Sequence, residues 1–343
     1  MPNTENTGSD VWLSVIIPTR DRPEDFSRAL ASVIAQTFKG LEVLAVIDGS
    51  SSENLEAYKR IEQGLPPFVT FRYLMHRSNG HGHCFARNHG VEHARGAFIA
   101  FLDDDDLWID NGFIARAREA LANEGASFYM ANQEAIAPAG QIIPNVWLDE
   151  IKSRLPVLDP RQEKEIFPLT VAELLRSGNF SHMNTWILSK KLFVSAGGMY
   201  ESLRYEPDRD VYLRLLDKTD KVIFDTAYVA RHHVPDKSKK KNASTAGSEF
   251  DRLLFQLHSA DRIGLNCSNP LIRDYCKERK AYILRRISEQ CLAMPDKKAL
   301  ALHFSMMALS CKATLKWVAF CALLSLRLHG KALKLIQVSQ KGA

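Results

Sequence analysis

The sequence lacks the motifs that identify several common classes of protein. None of its six cysteines forms a C-x-x-C pair, so the usual signatures of a zinc knuckle and of a thiol redox motif are missing. No G-x-x-x-x-G-K-[ST] occurs, and no G-x-G-x-x-G follows the first apolar run. A phosphate-loop NTPase and a typical dinucleotide-binding protein are therefore disfavoured.

Long apolar runs and a strong net charge are also missing. The apolar run "WVAFCALLSL", residues 317–326, is shorter than the roughly 20 residues that span a bilayer. The opening "MPNTENTGSD" lacks the basic-then-apolar layout of a signal peptide. The net charge of +5 is mild and forms no basic stripe interleaved with aromatics, so no nucleic-acid partner is expected. These features predict a cytoplasmic protein, either free or peripheral at the inner face of the plasma membrane.

The first 110 residues alternate between apolar strand patterns and amphipathic helix patterns. The segments "LSVIIPT", "LEVLAVI", "FVTFRY" and "AFIAFL" are typical of buried strands, and helical spacing fills the intervals. This alternation predicts an α/β fold with a doubly wound, mainly parallel sheet and flanking helices. From about residue 250 the pattern is almost wholly helical, with breaks near Pro270 and Pro295, which predicts a C-terminal helical region.

Four consecutive carboxylates follow the fourth predicted strand in "FIAFLDDDDLWID". In doubly wound sheets, ligands bind beyond the carboxyl ends of the strands, where Pro18-Thr19 and Asp48 also fall. Carboxylate oxygens suit hard divalent cations, which are often shared with phosphates. The alternative is a helix start in "LWIDNGFIARARE", because acidic residues favour helix N-termini. Asp48, in "VIDGSS", is open to two interpretations: contact with a base or ribose, or an Asp-Gly turn.

Several segments together resemble one family. The segments "SVIIPTRDRP", "SVIAQTF", "EVLAVIDGSS", "ARNHGVEHARGAFIAFLDDDD" and "DRDVYLRLL" are similar, in order and spacing, to family 2 glycosyltransferases of the GT-A fold. The resemblance covers about residues 11–235. It implies a nucleotide-sugar donor, a divalent metal (Mn²⁺ or Mg²⁺), and inversion at the anomeric carbon during synthesis of surface polysaccharide, lipopolysaccharide or glycoconjugate.

The resemblance also implies roles for individual residues that bind the donor. The expected substrate-binding residues are Pro18, Thr19 and Arg20 in the nucleoside pocket, Asp48 at the base, Arg87 at the donor phosphates, and Asp103 and Asp104. Family members usually have an acidic residue directly before the one that Asp48 matches, and this chain has Ile47 there. That departure leaves the identity of the base open.

Within the acidic cluster, the D-x-D pattern of the family aligns on Asp103 and Asp105. The resemblance implies that Asp105 is the principal metal ligand and that Asp103 faces the ribose and the metal. Asp106 then has a supporting role, and Asp104 takes the variable middle position, where replacement is expected to be tolerated. His233, in "VARHHVPDKS", fits the family's late histidine at the metal or diphosphate; a structural role is the alternative for a lone histidine.

An inverting transfer needs a carboxylate that takes the proton of the acceptor hydroxyl. The segment "YEPDRDVYLRLL" resembles the acidic segment that supplies this base in the family, and Asp208 is the expected base. Glu206 and Asp210 are rivals, because Pro207 replaces the usual glutamate and weakens the alignment. A plain acidic helix start is the further alternative.

The expected partners are a UDP-sugar donor and a saccharide or lipid-linked acceptor. Two other functions compete with glycosyl transfer. A nucleotidyltransferase that forms nucleotide sugars usually has a glycine-rich, basic N-terminal loop, and "PTRDRPED" is not one. A non-catalytic nucleotide-sugar binding protein is disfavoured because Asp105 and Asp208 are both present.

The sequence and the resemblance together predict five segments. We expect a disordered tail at 1–10, a GT-A domain at 11–235 with a nucleotide-binding half (11–110) and an acceptor half (111–235), a basic linker at 236–249 and helices at 250–343. For the last helices we weighed two alternatives: a bundle with an apolar core, or a basic amphipathic surface on an anionic membrane. Trp317, Lys316, Arg327 and Lys331 motivate the membrane hypothesis.

Overall fold

The computed structural model describes residues 11–143, 166–177, 180–234 and 247–326. The expected tail, most of the basic linker, and Arg327 and Lys331 lie outside these residues. Contacts divide the chain into two compact units. We call residues 1–202 with 207–239 the sheet unit, and residues 203–206 with 240–343 the helical unit.

The first part of the sheet unit is a regular alternation of strands and helices, as the sequence predicted. The elements are β1 (Leu13–Thr19), α1 (Pro23–Ile34), β2 (Leu41–Ile47), α2 (Ser52–Glu62), β3 (Val69–Tyr73), α3 (His83–His93) and β4 (Phe98–Phe101). The four strands are parallel, in the order β3-β2-β1-β4. Every residue of β1 and β2 is buried, which is why both strands are apolar runs rather than alternating patterns.

The second part of the sheet unit extends the same sheet with mixed strand directions. Its elements are β5 (Leu107–Trp108), α4 (Phe113–Glu124), β6 (Phe128–Ile136), β7 (Ile142–Ile143), β8 (Ile166–Thr170), α5 (Val171–Arg176), a 3-10 turn (Met183–Thr185), β9 (Trp186–Ser189), α6 (Lys190–Ser195), α7 (Pro207–Leu216) and β10 (Lys221–His233). The order continues β4-β9-β6-β10-β5, with β9 antiparallel to both neighbours and β10 parallel to β6. The predicted α/β class with a mostly parallel sheet is confirmed.

The short strand β5 decides where the acidic cluster lies. Leu107 and Trp108 pair antiparallel with Arg231 and Ala230 of β10, and the next helix begins only at Phe113. The alternative that the four aspartates open a helix is therefore wrong. Because β5 pairs with the end of β10, the histidines that follow Arg231 are brought beside the aspartates.

The helical unit contains α8 (Glu249–Asn266), α9 (Pro270–Ala293) and α10 (Lys298–Cys311), and residues 315–326 are also helical. Ser248 caps α8 in a capping box, and Asn269 caps α9 just before its N-terminal proline. The helices pack around apolar side chains such as Leu253, Ile283 and Ile287. In the part of the chain that the structure describes, no helix is long and apolar enough to cross a membrane.

Candidate active site

The acidic loop, residues 102–106, leaves β4 at the carboxyl edge of the parallel strands. Its turn is closed by a hydrogen bond from the amide of Asp106 to the carbonyl of Asp103, 3.1 Å long. The loop follows a strand whose last three residues are fully buried, so the four carboxylates begin where the apolar core ends. The four side chains then take different partners.

Asp103 is tied to α3 and to the 3-10 turn. Its carboxylate pairs with the guanidinium of Arg87, which is 7% exposed, and its amide donates to Asn184 Oδ1 over 3.1 Å. The Nε2 atom of His182 lies 3.9 Å from its second oxygen. Burial opposes ionisation of Asp103, but Arg87 and His182 hold the pKa of this carboxyl below its usual value. Asp103 is therefore ionised, with a quarter of its side chain exposed.

Asp104 and Asp105 share the guanidinium of Arg22. Arg22 Nη1 lies 3.3 Å from Asp104 and 2.8 Å from Asp105, while the hydroxyl of Thr19 donates to Asp104 over 2.7 Å. Burial and then the adjoining aspartates raise the pKa of Asp104 to about 7 and that of Asp105 to about 6. The charged forms of these two carboxyls are therefore disfavoured relative to an ordinary aspartate.

Asp106 is committed to the protein interior. It is fully buried, accepts hydrogen bonds from the Asn184 amide and His232 Nδ1, and accepts the backbone N–H of His233 over 2.7 Å. Burial opposes ionisation, but these donors hold the pKa of Asp106 well below its usual range. Asp106 fixes the end of β10 against the loop, which fits the supporting role expected for it.

His233 lies two residues after Arg231, which pairs with β5, and it faces the acidic loop. Its Nδ1 atom lies 3.8 Å from Asp106, is buried, and has no hydrogen-bond partner among the residues described. The Asp106 carboxylate raises the pKa of His233. A buried ring nitrogen without a partner at the edge of an acidic cluster is suited to a bound ion or phosphate.

Asp48 lies at the end of β2 and organises the loop before α3. Its carboxylate accepts the N–H groups of His81 (2.7 Å) and Gly82 (2.8 Å) and lies 2.9 Å from His81 Nδ1. Gly80 has a positive φ of 65°, and a Cβ there would lie 2.7 Å from the Asp48 carboxylate. The loop thus closes over an aspartate that is 6% exposed.

The three base candidates differ in what binds them. Asp210 is fully buried, and Nε and Nη2 of Arg214 both donate to one of its oxygens. Glu206, within the helical unit, accepts from Gln256 and Arg279. Asp208 is half-buried in the first turn of α7, and its charge acts on Arg87 and His182. Asp208 stays the predicted base, and its two rivals are each bound by an arginine.

The other predicted donor residues lie at the end of β1. Pro18 is buried in the strand, and the 3% exposed Thr19 shares its hydroxyl with Tyr58 as well as the acidic loop. Arg20 donates to the Ser78 carbonyl over 2.6 Å. The residues that sequence reasoning missed are Arg22, Asn184, His182 and His232. Arg22 lies in the matching segment "PTRDRP" and His232 lies beside His233 in "VARHHVPDKS", so each carried a signal in the sequence. Asn184 and His182 carried none.

Residues near the loop could hold a divalent cation. Ligand atoms of Asp103, Asp106 and His182 lie within 4.8 Å of one another. Asp106 is fully buried and already bonded, whereas the Asp105 side chain is 35% exposed. Asp103 and Asp105 both keep partly exposed carboxylates, and carboxylate oxygens are the ligands that hard divalent cations prefer, so the residues present fit a cation.

The family model described as Glycosyl transferase family 2 matches residues 14–189. Among curated proteins, the UDP-Glc:alpha-D-GlcNAc-diphosphoundecaprenol beta-1,3-glucosyltransferase WfgD of Escherichia coli is 35% identical over 128 residues. That match covers 37% of this chain and 47% of WfgD, so about half of the relative's length is spanned.

Solved structures show the same fold at low identity. S. aureus TarS 1-349 in complex with UDP-GlcNAc matches with a TM-score of 0.64 at 16% identity, over 88% of this chain and 82% of that one. The mannosyltransferase PcManGT from Pyrobaculum calidifontis, in complex with GDP-Man and Mn²⁺, matches with a TM-score of 0.55 at 18% identity, over 94% and 80%. The architecture is the GT-A glycosyltransferase fold.

Proposed function

The chain belongs to glycosyl transferase family 2, and on that premise we propose that it transfers a sugar from a nucleoside-diphosphate sugar to an acceptor hydroxyl with inversion. The observation that carries the proposal is the acidic loop at the carboxyl edge of the sheet. Two of its carboxylates have pKa values raised to about 6 and about 7. Such a loop accepts a cation together with its phosphates.

A divalent cation, Mn²⁺ or Mg²⁺, would be held by Asp103 and Asp105, with His233 at the metal or the diphosphate. Both aspartates keep exposed surface, and His233 Nδ1 makes no hydrogen bond to the described residues. When bound, the cation supplies neutralisation of the charge that develops on the leaving diphosphate. Arg87, through its pairing with Asp103, positions that carboxylate and adds positive charge nearby.

Asp208 is the proposed general base. In a direct displacement, the acceptor oxygen forms a bond to the anomeric carbon while the bond from that carbon to the phosphate oxygen breaks. The hydroxyl proton passes to the Asp208 carboxylate, and the nucleoside diphosphate leaves with the electron pair. Glu206 and Asp210 are each bound by an arginine, which supports Asp208 over both.

The proposed donor is a UDP-sugar, and the proposed acceptor is a saccharide linked to a lipid diphosphate. The support is that TarS was solved with UDP-GlcNAc and that WfgD is named for a diphosphoundecaprenol acceptor. PcManGT was solved with GDP-Man, so guanosine is the competing base. His81 and Gly82 donate to Asp48, and the loop that they form is the proposed wall of the base pocket.

A lipid-linked acceptor requires contact with a membrane surface, and we place that contact on residues 315–326. Leu315, Val318, Leu323 and Leu326 are 47–92% exposed at spacings that share one helix face. Residues 297–343 contain lysines and arginine but no aspartate or glutamate, which suits an anionic surface. Trp317 does not join this face: it is 8% exposed, and its indole donates to the Ser305 carbonyl.

The decisive experiment measures nucleotide release from a panel of UDP- and GDP-sugars with Mn²⁺, with Mg²⁺, and with chelator. We expect slow release from one donor that depends on the cation and is lost in Asp105→Asn. Consumption of a nucleoside triphosphate and a sugar 1-phosphate instead would establish the nucleotidyltransferase. Donor binding without turnover, under conditions with lipid-linked acceptors present, would establish the non-catalytic binding protein.

A further inference from the structure

The exposed side of α3 carries a second group of metal-ligand residues, apart from the acidic loop. His89, Glu92 and His93 occupy the last turn of the helix at i, i+3 and i+4, the spacing that places side chains on one face. One ligand atom from each lies within 4.8 Å of the others. The histidines are half-buried and Glu92 is exposed, so the group is open to ions from solvent.

The ring of His93 is fixed in the tautomer that a metal requires. Its Nδ1 atom lies 2.9 Å from the backbone carbonyl of His89. Because a carbonyl oxygen only accepts, Nδ1 carries the hydrogen in the neutral ring, and the lone pair is then on Nε2. Histidines that bind metals commonly donate their other ring nitrogen to a backbone carbonyl in this way. The helix itself therefore orients His93 as a ligand.

The ring of His89 is also held in place by neighbouring rings. It stacks on Phe85 at 6.2 Å and faces the His93 ring at 4.4 Å between centroids. The C-terminal end of a helix, where these side chains lie, also favours a cation through the helix dipole.

We propose that His89, Glu92 and His93 form a binding site for a zinc-like divalent transition metal on the exposed face of α3. Imidazole nitrogens suit Zn²⁺, Ni²⁺ and Cu²⁺, whereas sites made of carboxylates suit Mg²⁺ and Mn²⁺, so the acidic loop and this site select different ions. Three protein ligands leave one tetrahedral position for water. The bound ion clamps the last turn of α3, whose buried face carries Arg87.

The test is Zn²⁺ titration of the full-length, tag-free protein by calorimetry, in excess Mg²⁺ that occupies the acidic loop. We expect wild-type protein to bind Zn²⁺, and Glu92→Gln and His93→Gln each to weaken binding about tenfold or more. The matched control is His303→Gln, which changes an exposed histidine on α10. Co²⁺ is expected to give the intense visible absorption of tetrahedral coordination in wild-type protein and not in the two variants.

Equal Zn²⁺ affinity in wild-type protein and in both variants would overturn the site, as would Zn²⁺ binding that excess Mg²⁺ displaces. Because Glu92 is exposed, Glu92→Gln is expected to keep the metal-free melting temperature of the wild type, which separates lost binding from lost folding. The readout is independent of sugar transfer, so failure of the glycosyltransferase proposal would leave the result intact.

Discussion

The role that we assign to each carboxylate near the acidic loop depends on which side chain binds it. Asp210 is fully buried against Arg214, whereas Asp208, two residues earlier, is half-buried. Removing one partner of a buried ion pair leaves an uncompensated charge and is strongly destabilising. A base at the surface of a site, in contrast, contributes to the rate rather than to folding.

We expect Asp208→Asn to lower kcat by about 10²-fold or more, since general base catalysis contributes about 10²–10⁴-fold, with the melting temperature unchanged. Asp210→Asn is expected to lower the melting temperature instead, because Arg214 loses its anionic partner. Thermal unfolding and initial rates on the same preparations separate the two. A normal kcat for Asp208→Asn would contradict this assignment and indicate Glu206 or Asp210 as the base.

Asp104 and Asp105 form a second contrasting pair. Asp104 was expected to tolerate replacement, yet it is 8% exposed and accepts the Thr19 hydroxyl. Removing one of the two partners of that buried hydroxyl, the other being Tyr58, costs about 0.5–1.5 kcal/mol, so Asp104→Ala is expected to lower the melting temperature. Asp105→Asn, at a side chain 35% exposed, is expected to keep the fold and lose cation-dependent turnover. A fully active, fully stable Asp104→Ala would restore the original expectation.

At the scale of secondary-structure elements, a buried glutamate joins β1, β2 and the segment after α3. Glu42 accepts hydrogen bonds from Ser14 Oγ (2.6 Å), the Arg95 amide (2.6 Å) and Arg95 Nε (2.7 Å). Ser14 in turn accepts the amide of Gly96 over 2.8 Å. This network connects neighbouring parallel strands close to where each begins, opposite the edge that bears the acidic loop.

Glu42→Gln is expected to destabilise the protein by about 1.5–3 kcal/mol, the range for hydrogen bonds to a charged group. Burial opposes ionisation, but Ser14 and Arg95 hold the pKa of Glu42 below its ordinary value of 4.5. As the pH falls, Glu42 is therefore protonated in the unfolded chain before it is protonated in the folded protein. Its stabilisation is present above pH 4.5 and is lost as the pH falls through the pKa of Glu42 in the folded protein. Denaturant unfolding against pH measures this, with the exposed Glu56→Gln as control; an equal loss in both variants would contradict it.

At the scale of the whole molecule, the chain has two compact units with different cores. The sheet unit is built on fully buried strands. The helical unit depends on smaller clusters, one of which joins Leu284, Ala308, Trp317 and Cys321. The burial of Trp317 supports the bundle alternative for this residue, while the exposed apolar face of the same helix keeps the membrane hypothesis open to test.

Trp317→Ala is expected to destabilise the helical unit by about 3–5 kcal/mol, the usual cost of truncating a buried tryptophan. Leu315→Ala is the matched control, because that side chain is on the same helix and 92% exposed. Circular dichroism during thermal unfolding reports the loss of helix. Equal melting curves for the two variants would show that Trp317 is not part of the core.

The membrane hypothesis predicts that replacing Leu315, Leu323 and Leu326 together with serine reduces binding to anionic liposomes. The reason is the loss of apolar surface from one helix face. The control is Leu265→Ser, which changes another leucine that is 84% exposed, outside that face. Vesicle co-sedimentation at low and high salt measures the effect, and unchanged binding of the triple variant would assign the membrane contact elsewhere or to none.

Much of the architecture is local in origin and could be predicted from the sequence. Apolar runs such as "LSVIIPT" and "LEVLAVI" become buried parallel strands because each is covered on both faces. The position of the acidic loop follows from the same reasoning, since it comes directly after the fourth such strand. The two-residue strand β5 was not predicted, because a pair as short as Leu107–Trp108 carries no periodicity.

The sequence by itself determined the fold class, the family, and the edge of the sheet at which the carboxylates gather. Only the tertiary structure decided which cation meets which carboxylate. Arg22 reaches Asp105 across 83 residues of chain, and His232 reaches Asp106 across 126. Such contacts depend on strand order and on the pairing of β5 with β10, and local sequence patterns specify neither. The physical reason is that a burial pattern can be read from residues adjacent in the sequence. Charge compensation depends on residues that only folding brings together.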